Sequence, residues 1–278
     1  MKIYVMTDME GVAGVQNFED WCTVGGRYYE VGKEFLTREV NAAVEGFFAA
    51  GATEVVVSDG HGQGGINPVV LDSRAELLVG WPTGWPFLLD KTYDAVAFVG
   101  QHAKAGTEFA HLAHTQSTGY VDLSVNGVSI GEFGQLAMCA SELGVRTVFG
   151  SGDRAFCAEA QALVPGIETA EVKRGTTPGH GDELVRSQYI RQNRSAIHLH
   201  PERARARIRE GAERAVRRAA KRDFGLVPLR PPFERVGVFR ADGEQPRRRS
   251  VETHPTSVIA LMNMSFNAKA IEVTDVRR

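Results

Sequence analysis

The chain alternates short apolar runs with amphipathic stretches, as a series of β-α units does. Residues 2–7 (KIYVMT), 53–58 (TEVVVS), 93–99 (YDAVAFV) and 145–149 (VRTVF) are apolar at their centres, as expected of parallel strands covered on both faces. A shorter run at 75–79 (AELLV) predicts one more strand. Between the first two runs lies a helical stripe of Val31, Phe35, Glu39, Ala43 and Phe47, widened by Leu36, Val40 and Val44 and stopped by Gly51. Residues 121–125 and 128–130 flank Asn126-Gly127, the pair favoured by a type I′ hairpin turn. A second stripe (Phe133, Leu136, Ala137, Ala140, Leu143) ends at Gly144, and a third helix after Asp153 stops at Pro165-Gly166. The pattern predicts a three-layer α/β fold over residues 1–165, with a largely parallel sheet flanked by helices.

Beyond residue 165 the composition shifts. Residues 171–200 show no clear periodicity. A helix is predicted from Pro201 to Asp223, burying Ala204, Ile208, Ala212, Val216 and Ala219, and strands are predicted at 228–239 and 257–262. Residues 166–278 are therefore expected to form a smaller α+β C-terminal lobe. The arginines of 201–223 have no interleaved aromatics, so they read as a solvated face or an assembly contact rather than a nucleic-acid surface.

A net charge of −2 gives no case for nucleic acid or an acidic membrane as partner. No apolar run approaches the ~20 residues of a membrane span, and the first residues do not read as a signal peptide. Cys22, Cys139 and Cys157 form no C-x-x-C pair and predict free thiols, hence the cytoplasm.

Candidate chemistry sits where the apolar runs end. The first delivers Asp8 and Glu10, which converge on one side if the backbone stays extended. The second delivers Asp59 and His61, the third His102, and the hairpin runs into Glu132 at the start of a helix. Ligands of open α/β sheets bind just beyond such strand ends. Mixed carboxylates and imidazoles suit Zn²⁺, with Mn²⁺ or Co²⁺ as alternatives, and five or six ligands fit two metals about 3.5–4 Å apart better than one. Of the two histidines in the polar loop EFAHLAHTQS, His114 is preferred over His111 as a proton-transfer or oxyanion partner. His180, His198, His200 and His254 have no comparable placement and read as structural. Trp81 and Trp85, in a turn-rich segment, could line a pocket, contact a subunit or roof the core. The glycine-rich run from Gly60 to Gly65 carries no G-K-[ST], so a phosphate cradle is not expected.

Asp8-Met9-Glu10-Gly11-Val12-Ala13-Gly14, Ser58-Asp59-Gly60-His61, Gly100-Gln101-His102-Ala103-Lys104-Ala105, Ala113-His114-Thr115 and Asn126-Gly127 followed by Gly131-Glu132-Phe133-Gly134 occur in this order. In order and spacing they resemble the D-aminopeptidase family of the bacterial dipeptide-transport operon. The resemblance is dense to about residue 165 and thin afterwards; 174–200 and the ending after Met262 depart from it. It implies a self-compartmentalising zinc peptidase that releases N-terminal D-amino acids from short peptides. It further implies two Zn²⁺ per subunit, with Asp8 bridging them and Glu10, His61, His102 and Glu132 as the other ligands. His114 matches the position assigned as nucleophile in the family. On chemical grounds a metal-activated water is the better nucleophile, with His114 as acid/base and Asp59 as an orienting neighbour. Family members form closed rings, which implies a ring-shaped homo-oligomer, a decamer by resemblance. The alternatives are another metal-dependent amide or phosphoester hydrolase, or a non-catalytic module holding a metal.

Overall fold

In the computed structural model, which describes residues 1–62 and 64–272, the chain builds two sheets and two apolar cores, one on each face of the larger sheet. Its first half runs β1 (Lys2–Thr7), α1 (Phe18–Trp21), α2 (Tyr29–Ala49), β2 (Glu54–Ser58), β3 (Glu76–Leu78), β4 (Ala95–Gln101), β5 (Tyr120–Val125), β6 (Val128–Ser129) and α3 (Glu132–Leu143). The second half runs β7 (Arg146–Asp153), α4 (Arg154–Leu163), β8 (Glu168–Gly175), α5 (Arg186–Gln192), β9 (Ala196–His198) and α6 (Pro201–Ala219). It closes with β10 (Phe233–Phe239), β11 (Arg248–His254), α7 (Val258–Met262) and β12 (Lys269–Ala270).

The first sheet has the order β3-β2-β1-β4-β7-β8-β9, parallel except for β9. Alternation along β1 sends Ile3 and Val5 to one face and Tyr4 and Met6 to the other. On the first face α2 and α6 cover the sheet with Leu36, Val40, Phe47, Ile208 and Val216; on the other, α3 and α4 do so with Phe133, Leu136, Phe156 and Ala160. The second sheet, β12-β11-β10-β5-β6, is antiparallel and adds Leu123, Val125 and Phe233 to that second core.

The chain crosses position 165 without leaving the first sheet, since β8 pairs with β7 and α6 packs on α2. β8 carries no legible pattern because ETAEVKRG places charged residues even at buried positions. The predicted strand at 257–262 is instead α7. Ser257 caps it by accepting from the Ala260 N–H, and Glu142 accepts from the N–H groups of Val258 and Ile259, so a partner from α3 nucleates a helix that Val and Ile alone disfavour. The strand expected from residue 228 begins only at Phe233, after prolines that cannot donate to a ladder. Three arginines of α6 bond within the chain, Arg214 to Glu168, Arg217 to Glu213 and Arg207 to the Glu171 carbonyl. Six residues of the divergent ending, 273–278, lie outside the described residues, as does Gln63.

Candidate metal centre

β1 stops at Thr7 because the chain must turn: the Asp8 N–H still donates to the Val99 carbonyl, and the Gly11 N–H then reaches the Gly100 carbonyl at 2.7 Å. Two glycines make this approach feasible. A Cβ on Gly11 would lie 2.1 Å from the Gln101 carbonyl oxygen, and one on Gly100, whose φ is +79°, would lie 2.0 Å from the Asp8 carbonyl oxygen. Asp8 and Glu10 do converge, through this turn rather than through strand alternation.

The structure brings together six of the seven residues singled out from sequence. Asp8, Glu10 and His61 form one group of potential metal ligands, and His102, His114 and Glu132 a second, with the ligand atoms of each group within 4.8 Å of one another. Asp8 reaches both: its Oδ1 is 3.2 Å from His61 Nδ1 and its Oδ2 3.1 Å from His102 Nε2. Glu10 Oε2 is 3.1 Å from His61 Nδ1, and Glu132 Oε1 is 3.7 Å from both His102 Nε2 and His114 Nε2. The two latter imidazoles stack with centroids 4.0 Å apart. Asp59 stands apart. Its oxygens accept from the N–H groups of Gly65 and Ile66, so it shapes the loop that carries His61 without touching the ring.

Each imidazole is oriented from behind by a backbone carbonyl: His61 Nε2 by Cys22 at 2.8 Å, His102 Nδ1 by Ala103 at 2.8 Å and His114 Nδ1 by Leu112 at 2.9 Å. With the far nitrogen donating, the near nitrogen of each ring carries a lone pair aimed at the carboxylates. Glu10 Oε2 and His102 Nε2 are buried yet make no hydrogen bond, although oppositely charged groups lie 3.1 Å away. Lone pairs that converge without bonding to each other fit a cation between them, and the N/O donor set fits zinc.

The electrostatics agree. Burial opposes ionisation of Asp8, but the imidazoles of His102 and His61 close beside it outweigh that and hold its carboxyl well below the usual carboxylate range. Burial opposes protonation of His61 and His102, yet Glu10 and Asp8 raise the first well above its ordinary value, and Asp8 with Glu132 raises the second to about 10. Burial and the neighbouring carboxylates push Glu132 up to about 7, while burial and the charge on His102 push His114 down to about 4. Protons gather where a multivalent cation would otherwise offset the carboxylates.

Several supporting residues carry weak sequence signals. Gln101 donates from Nε2 to Asp8 Oδ2 at 3.0 Å from the last position of the wholly buried β4. Gln116, at φ +58°, donates its N–H to Glu132 Oε1 at 2.7 Å, an unfavourable backbone conformation held at the site itself. Lys173 of β8 is buried and donates its ammonium to the carbonyls of Glu10 and Val15, pinning the turn between the first two ligands and α1. Burial lowers Lys173 to about 8, against the nearby carboxylates of Asp153 and Glu39. A polar side chain at a strand end, and a lysine beside Val172 in a strand, are the only clues the sequence offers to Gln101 and Lys173.

Asp8, Glu10, His61, His114 and Glu132 line a cleft of about 570 Å³ together with Trp81, Trp85, Phe87 and Tyr29. The two tryptophans thus line this cleft. Among the described residues, no helix is long and apolar enough to cross a membrane.

The family model described as D-aminopeptidase, peptidase family M55, matches residues 1–240. A D-aminopeptidase of Bacillus subtilis (strain 168) is 32% identical over 179 residues, 63% of this chain and 64% of that protein, so the chain spans a little under two thirds of that relative's length. The solved structure of the Zn-dependent D-aminopeptidase DppA from Bacillus subtilis, described as a self-compartmentalizing protease, superposes with a TM-score of 0.74 at 26% identity, covering 86% of this chain and 81% of DppA. With the match running through both ligand groups and most of the fold, the chain belongs to the D-aminopeptidase family, peptidase family M55.

Proposed function

We propose that this protein is a binuclear zinc aminopeptidase that releases N-terminal residues, D-configured by analogy with its relatives, from short peptides. One observation carries the two-metal reading: two groups of three potential ligands share the Asp8 carboxylate, one oxygen facing each group. Asp8, Glu10 and His61 would hold one ion and Asp8, His102 and Glu132 the other, with Gln101 and the two carbonyls behind His61 and His102 fixing ligand orientation. When bound, zinc supplies the Lewis acidity that lowers the pKa of a coordinated water toward ~7 and polarises a carbonyl. The chain's own part in the chemistry falls to His114. Held uncharged by burial, it presents Nε2 to the cleft, where it takes up a proton and returns it to the departing amine. Asp59 and Lys173 act at one remove, by fixing the loops that carry His61 and Glu10.

Three buried, unpaired thiols favour the cytoplasm. DppA is a self-compartmentalizing protease, and we extend that to a ring-shaped homo-oligomer of this chain, a decamer, with residues 166–278 including α6 as its contact surface. The test is metal analysis of the purified protein together with hydrolysis of D-Ala and L-Ala p-nitroanilides. Two zinc ions per chain and turnover of the D-substrate are expected. Turnover of the L-substrate alone would remove the D-peptidase assignment, and one zinc or none at saturating metal would remove the binuclear one.

A further inference from the structure

Taking the peptidase reading as its basis, we infer that Trp81, Trp85 and Phe87 form the subsite for an apolar side chain on the residue that follows the scissile bond, and that the cleft selects peptides by this contact rather than by their terminal carboxylate. The three rings form one continuous surface. Phe87 stacks on Trp81 with centroids 4.1 Å apart and lies 4.4 Å from Trp85. All three are half-buried, so each keeps one side against the protein and offers another to the cleft.

The shelf is built to hold still. Trp81 Nε1 donates to Ser58 Oγ at 3.1 Å, Tyr4 Oη donates to the Phe87 carbonyl at 2.8 Å, and Asn263 Nδ2 donates to the Trp85 carbonyl at 2.9 Å. These anchors come from β2, β1 and the residue after α7, and the three rings pack against the core on the α3 and α4 side of the sheet. Phe87 and Leu88 are held at φ +59° and +64°, a conformation disfavoured for bulky residues. Such backbone persists where surrounding contacts fix it, and it clusters at ligand clamps.

Position decides which part of a peptide meets the shelf. The carboxylates and imidazoles that would receive the amine and the scissile carbonyl lie at the buried floor, whereas the shelf rises beside them toward solvent. A peptide with its first residue engaged at the floor leaves the cleft past these rings, so its next side chain is the one laid against them. Among the described residues that line the cleft there is no lysine or arginine to pair with the carboxylate of a dipeptide. An apolar side chain on rigid aromatic rings gains affinity without a charge partner.

The zinc-loaded protein is assayed on D-Ala-Gly-NH2, D-Ala-Leu-NH2 and D-Ala-Phe-NH2, and on D-Ala-Phe as the free acid. Discrimination by an apolar subsite predicts kcat/KM for the Phe amide about tenfold or more above the Gly amide, with the free acid no better than its amide. Trp85, whose ring makes no hydrogen bond among the described residues, is the residue to change: Trp85→Ala should bring the Phe/Gly ratio close to one, and Trp85→Phe should restore it. A wild-type ratio near one, a ratio unmoved by Trp85→Ala, or a clear preference for the free acid would overturn the inference. Tryptophan emission supplies an independent readout, since two of the three tryptophans sit in the shelf. If no D-peptide is turned over, quenching by D-Ala-Phe-NH2 but not by D-Ala-Gly-NH2 supports the subsite while the peptidase reading falls. Equal response to both peptides refutes the subsite.

Discussion

Replacing Asp8 by asparagine separates a shared ligand from two independent sites. The amide keeps the shape of the side chain but removes the charge, and it turns one oxygen that faces an imidazole at 3.1–3.2 Å into a donor or a weaker acceptor. Changing a residue that merely orients a ligand costs 10–100-fold in metal affinity, so losing a ligand carboxylate should cost at least about 100-fold, or ~2.7 kcal/mol, at each ion it serves. Glu132→Gln touches one group alone and provides the reference. After dialysis against a low zinc concentration, wild type is expected to keep two ions per chain, Glu132→Gln one, and Asp8→Asn close to none. The thermal increment that zinc adds over EDTA should shrink in the same order, since ~2.7 kcal/mol corresponds to about 5–10 °C in a chain of this size. Asp8→Asn that retains two ions, or loses no more than Glu132→Gln, would show that Asp8 does not bridge.

Further expectations concern the residues around the ligands. His114→Ala should lower kcat by about 10²–10⁴-fold while leaving zinc content at the wild-type value; loss of one ion would make His114 a ligand beside His102 and Glu132 instead. Lys173→Met leaves the Glu10 and Val15 carbonyls without their donor and strands the buried Glu39 and Asp153, so urea denaturation should show a loss of about 3–5 kcal/mol. Glu39 is buried with Oε1 accepting from the Ala13 N–H, and burial raises its carboxyl from 4.5 to about 7 against the opposing pull of that bond and of Lys173. A raised folded-state pKa means that stability is fully present below 4.5 and is lost as pH rises toward 7. At about 1.36 kcal/mol per pH unit this is ~3 kcal/mol. Glu39→Gln should therefore gain about 3 kcal/mol relative to wild type on going from pH 4 to pH 8; a mutant effect independent of pH in that range would refute the assignment.

What the sequence made legible follows from what periodicity can encode. The strands of the first sheet that lie under helices on both faces, β1, β2, β4 and β7, read plainly because burial on two sides leaves an unbroken apolar run. β8 is hidden because Glu171, Lys173 and Arg174 interrupt its run, and the buried Lys173 is there to bond two carbonyls that lie more than 150 residues earlier in the chain. α7 is hidden because the cap that makes it a helix, Glu142, belongs to another element. The candidate ligands are legible for a different reason: each lies within a few residues of the end of an apolar run, and neighbouring strands bring such positions to one edge. Gln101 and Gln116 could not be read, since an amide gains its meaning only from the carboxylate it faces.

The arrangement also explains why one half of the site is tied so firmly to the other. Asp8, Glu10, His61, His102 and Glu132 come from the ends of β1, β2 and β4 and the start of α3, so none of them has a structured neighbour until the sheet has formed. Once it forms, three carboxylates meet in a buried space, and the raised affinity of His61, His102 and Glu132 for protons is the response. A cation that displaces those protons removes the repulsion at the place where the strand ends meet. Binding energy at the centre is then folding energy for the edge of the sheet that builds it, because no such set of ligands exists in the unfolded chain. The backbone carbonyls behind the imidazoles and the ammonium behind Glu10 keep the ligands from collapsing onto one another before the cation arrives.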